Sequence, residues 1–62
     1  MGMLNTTRNL AAPDDVYDML IHAHEGKTKE ESDAFNARLI LILMNHVGDR
    51  EAIAEALALA EV

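Results

Sequence analysis

The sequence predicts an all-α fold, a three-helix hairpin-type arrangement behind an N-terminal arm, packed as a helical homo-oligomer. Three observations carry that prediction. From position 13 onward, apolar residues recur at spacings of three and four, which places them on single helix faces. Gly26 and Gly48 divide that stretch into three, each where a left-handed residue would end a helix. The run Leu39-Ile40-Leu41-Ile42-Leu43-Met44 is apolar nearly all round a helix, so one neighbouring helix cannot cover it.

Residues 1–12 form the arm. They lack periodicity, carry Asn5, Thr6, Thr7 and Asn9, and offer only Leu4 and Leu10 as large apolar groups beyond the methionines. Met1-Gly2-Met3 suggests an added dipeptide ahead of a natural start at Met3. The remainder, 13–62, is a single helical domain.

Helix one, about 13–25, opens on Pro13, whose fixed φ suits the first helical position. Asp14 and Asp15 complement the positive end of its dipole. Val16, Tyr17, Leu20, Ile21 and His24 share one face, while Asp14, Asp18, His22 and Glu25 occupy the other. Helix two, about 28–47, begins at Thr28-Lys29-Glu30-Glu31, a capping box in which threonine and glutamate satisfy each other's amides. Helix three, about 49–61, takes Asp49 as its cap and places Ile53, Ala56, Leu57 and Ala60 on one side. The short connections make consecutive helices neighbours in space.

Projected at 100° per residue, helix two has two apolar faces. Phe35, Leu39, Ile42, Leu43 and His46, flanked by Ile40 and Val47, form the face expected to meet helices one and three. Ala34, Ala37, Leu41 and Met44, spaced three, four and three, form a coiled-coil-like seam expected to meet a second copy. A twofold dimer is the expected state, being the commonest symmetry. Size points the same way: a chain of 62 residues without cysteine has no disulfide staple, and oligomerisation is the natural substitute.

Charge and composition exclude several functions. Eleven acidic residues against five basic ones give a net charge of −6, which repels a phosphate backbone. One tyrosine, one phenylalanine and no tryptophan provide no platform for stacked bases. Gly48 between two helices resembles a helix-turn-helix in outline, but helix three sets Arg50 against Glu51, Glu55 and Glu61, wrong for DNA. The six-residue apolar run is far below the roughly 20 needed to span a bilayer. No membrane or nucleic-acid role is expected, and the cytoplasm is the expected compartment.

Candidate chemistry is sparse. His22, His24 and Glu25 cluster in sequence, but ligands two apart on a helix point about 200° apart and cannot grip one ion. His22 and Glu25 are expected to form an exposed ion pair. His24 and His46 are the weak candidates for a metal site, each set in an apolar face where a ring nitrogen needs a partner. About 24 Å of helical rise separates them within one chain, so they meet only across a subunit interface. Asn36 beside the first face is expected to fix register through a buried hydrogen bond. Met1-Gly2-Met3-Leu4-Asn5-Thr6 fits a myristoylation pattern and Asn5-Thr6-Thr7 a glycosylation sequon, both too short to carry weight. With no nucleophile, acid–base pair or phosphate loop, neither enzymatic activity nor a cofactor is expected.

Leu10-Ala11-Ala12-Pro13-Asp14-Asp15, His24 before Gly26, Asn36-Ala37-Arg38-Leu39, Asn45-His46-Val47-Gly48-Asp49 and the closing Glu55-Ala56-Leu57-Ala58-Leu59-Ala60 together cover nearly the whole chain from Met3. In these segments the sequence resembles a family of very short proteobacterial proteins known only as a domain of unknown function. That resemblance implies a bacterial, cytosolic origin and no particular activity. The expected function is a small homo-oligomeric interaction module, pictured as an accessory subunit offering an apolar face to an enzyme. The alternative is a small-ligand or metal-binding protein using His24, Asn36 and His46 across a subunit interface.

Overall fold

The computed structural model describes residues 3–61, and Met1, Gly2 and Val62, with the Gly2 of the myristoylation pattern, lie outside them. Three helices follow in order, α1 (Pro13–His24), α2 (Lys29–Val47) and α3 (Arg50–Leu59), and there is no strand among the described residues. All three expected helices are present, with ends within two residues of those the sequence predicts.

Local chemistry accounts for most of these boundaries. Thr28 accepts from the Glu31 amide at 3.1 Å while the Glu31 carboxylate accepts from the Thr28 amide at 2.9 Å, completing the capping box. Asp49 Oδ1 accepts from the amides of Glu51 and Ala52, at 3.0 and 3.1 Å, and caps α3. Gly48 ends α2 in the left-handed conformation at φ 66°, donating its amide to the Met44 carbonyl. The start of α1 is less comfortable: Ala12 precedes Pro13 at φ 51° and ψ 60° and supplies no side-chain cap. A left-handed non-glycine residue costs roughly 1–2 kcal/mol, so the first turn carries strain.

Packing is open. Ala52, 8% exposed, is the only buried apolar residue among those described. α1 turns back along α2 and α3 lies against the C-terminal part of α2, with the closer backbone approach between α2 and α3. The arm is tied to α3 by a 2.7 Å bond from the Leu4 amide to the Glu55 carboxylate. Within it, Asn5 Oδ1 accepts from both the amide and hydroxyl of Thr7, a local turn that occupies the sequon asparagine. The whole measures 39 × 25 × 24 Å.

Candidate interaction surface

The turn between α1 and α2 holds a cluster of polar and aromatic contacts. His24 Nδ1 and Ser32 Oγ share a hydrogen bond of 3.0 Å, and the His24 ring meets Phe35 edge-on with centroids 5.2 Å apart. Lys27 donates its ammonium to the Ala23 carbonyl at the end of α1 and stands 4.9 Å over the Phe35 ring. One cation thereby answers a helix C-terminus and an aromatic face together. These contacts pin the two helices at this end.

Beyond the pin the two helices flank an apolar hollow. Between them lies an open groove of about 610 Å³ lined by α1 residues including Val16, Tyr17, Met19 and Leu20 and by Phe35, Leu39 and Leu43 of α2. A second groove, of about 340 Å³, runs between α2 and α3, and Ile53, Ala56, Leu57 and Ala60 all face it as the sequence predicts for helix three. Leu43 lines both. No charged residue lines either groove, so together they make one continuous apolar, concave face.

The division of the run 39–44 differs from expectation at two positions. Ile42, expected in the chain's own core, stands 65% exposed, and Met44, expected in the seam, is half-buried and lines the groove beside α3. The reason is geometric. Both flanking helices land on the same half of α2, α1 over Phe35, Leu39 and Leu43 and α3 over Ile40, Leu43, Met44 and Val47. The covered arc is thus turned away from Ile42 and toward Met44 relative to the predicted one. Ala34, Ala37 and Leu41 lie on the uncovered side, with Leu41 66% exposed.

The candidate polar residues do not converge. Ser32, and with it His24, is about 21 Å of helical rise from His46, which is exposed because α1, 12 residues long, ends short of it. Asn36, expected in a buried hydrogen bond, is exposed within the single chain. His22 donates from Nδ1 to the Asp18 carbonyl at 2.7 Å, in place of the ion pair with Glu25. Among the described residues, no group of three or more His, Asp or Glu is placed to hold a metal ion. No described helix is long and apolar enough to cross a membrane.

Sequence reasoning passed over Met19, 68% exposed on the groove wall, and Ala23. Their signal was available: Val16, Leu20 and Ala23 follow i, i+4, i+7 spacing, and Met19 broadens that stripe.

Three helices around an uncharged concavity define a small all-α protein with an apolar face. The family described as Protein of unknown function (DUF2783) matches residues 4–62, and the chain belongs to it. No curated protein and no solved structure matches the chain.

Proposed function

We propose that this chain is a homo-oligomeric helical interaction module of bacterial cytoplasm, stable only when its apolar face is covered by another copy. The observation that carries the proposal is the surface. A folded monomer of 6.8 kDa should expose about 4,000 Å², whereas this chain exposes 5532 Å². The excess, about 1,500 Å², is near twice the roughly 800 Å² per partner of a standard interface and falls in the range of obligate assemblies. Covering it would bring the buried fraction to the roughly 60% normal for a chain of this size.

The sequence offers the seam of Ala34, Ala37, Leu41 and Met44 as the contact for that assembly; Met44 lines the groove beside α3, and the larger concave face is the contact proposed here, with the outer side of α2 left free. A surface left over after self-association would be available to a second protein, which is the accessory-subunit role the sequence suggests. The test is the melting temperature as a function of protein concentration. Folding coupled to association makes it rise with concentration; a melting temperature independent of concentration would refute the proposal.

A further inference from the structure

We propose that two copies pack groove to groove, each concave face closing on the other in an interlocked twofold dimer with the α1–α2 hairpins as its centre. This rests on the self-association proposed above and adds which surface makes the contact and how the copies sit.

Three observations select this arrangement over a dimer built on the outer seam. The first is charge. Each copy carries −6, so two copies repel except where both surfaces are uncharged. The groove linings are uncharged, whereas the seam side of α2 carries Arg38 beside Leu41 and the acidic pair Glu30 and Glu31 in its first turn. Asp14, Asp15 and Asp18 lie on the side of α1 away from the groove, outside the proposed contact.

The second is extent. The outer side of α2 presents two strongly exposed large side chains, Leu41 and Ile42, with Ala34 and Ala37 on the same side, too little to account for the excess surface. The concave face presents Tyr17, Met19, Leu20, Leu43, Val47 and Leu57, all exposed in the single chain. Meeting hairpin to hairpin, α1 and α2 of each copy make a four-helix bundle, the architecture that buries such faces with short loops.

The third is shape. A compact 62-residue chain has a radius of gyration of about 11 Å, but this one has 13.4 Å. A compact body of two chains has about 14 Å, hardly more than one open copy alone. Two such frames form a compact dimer only if their centres nearly coincide. Reciprocal filling of the concavities is the packing that brings the two centres together. Copies set side by side across their 24 Å width would instead reach about 18 Å.

The test combines small-angle scattering with single substitutions in the full chain. The wild type is expected to be a dimer with a radius of gyration of about 14 Å. Met19→Glu should abolish the dimer and Leu41→Glu should leave it intact. Should Met19→Glu fail to fold, thiol labelling decides, since the chain has no cysteine of its own. Met19→Cys should lose its labelling in the dimer and regain it on dilution, while Leu41→Cys labels in both states. A dimer of about 18 Å, or one broken by Leu41→Glu and protected at Leu41→Cys, overturns the groove-to-groove arrangement alone. A monomer at every concentration overturns self-association as well.

Discussion

Leu43→Ala separates the chain as it stands alone from the chain in an assembly, because Leu43 lines both grooves yet is 51% exposed. Fully burying a leucine stabilises by about 1.5–3 kcal/mol. Half of that, about 0.8–1.5 kcal/mol, is what its truncation can cost in a lone chain. Once a second copy closes the grooves, the same side chain sits in a packed core, where leucine-to-alanine changes cost about 2–5 kcal/mol including the cavity left behind. Urea titration followed by circular dichroism reads the difference directly, with wild type and variant compared at one protein concentration. A loss of 2 kcal/mol or more, as a rough threshold, is expected. A loss of about 1.5 kcal/mol or less would show that nothing covers Leu43 and would refute the reasoning from exposed surface.

Thr28→Ala should destabilise by about 1 kcal/mol, because both amides of the capping box lose their arrangement, and thermal melts should show a drop of about 4–8 °C; an unchanged melt would mean α2 does not depend on its cap. Gly48→Ala should cost about 1 kcal/mol through φ alone, since an added Cβ there meets only the Asn45 and His46 carbonyls at 3.6 and 3.9 Å. Equal stability of that variant in denaturant titration would contradict a left-handed stop at this position. Two copies at −6 each bring −12 together, so added salt should tighten the dimer by screening repulsion. Measured by fluorescence dilution, weakening with salt would point instead to an interface held by ion pairs.

The helix boundaries were legible because they rest on local chemistry. A threonine three residues before a glutamate, an aspartate before Arg50 and a glycine after Val47 each act through bonds to neighbouring backbone. Which side of α2 is covered was not legible. It depends on where the two turns deliver α1 and α3, and the run 39–44 is apolar in too many directions to choose between landings. Ile42 and Met44 changed sides for that reason. Ala12 gave no warning of its left-handed backbone, being neither glycine nor asparagine. The pin at the first turn joins His24 and Lys27 to Ser32 and Phe35 across the helix break, beyond the reach of any single-helix periodicity.

Self-association itself is tested most directly by the molar mass in solution, by sedimentation equilibrium over a dilution series. An exposed surface about 1,500 Å² beyond that of a compact monomer leads us to expect twice the chain mass of 6.8 kDa, falling to the single mass only together with loss of helical signal. A folded, helical species of 6.8 kDa at every concentration would contradict it.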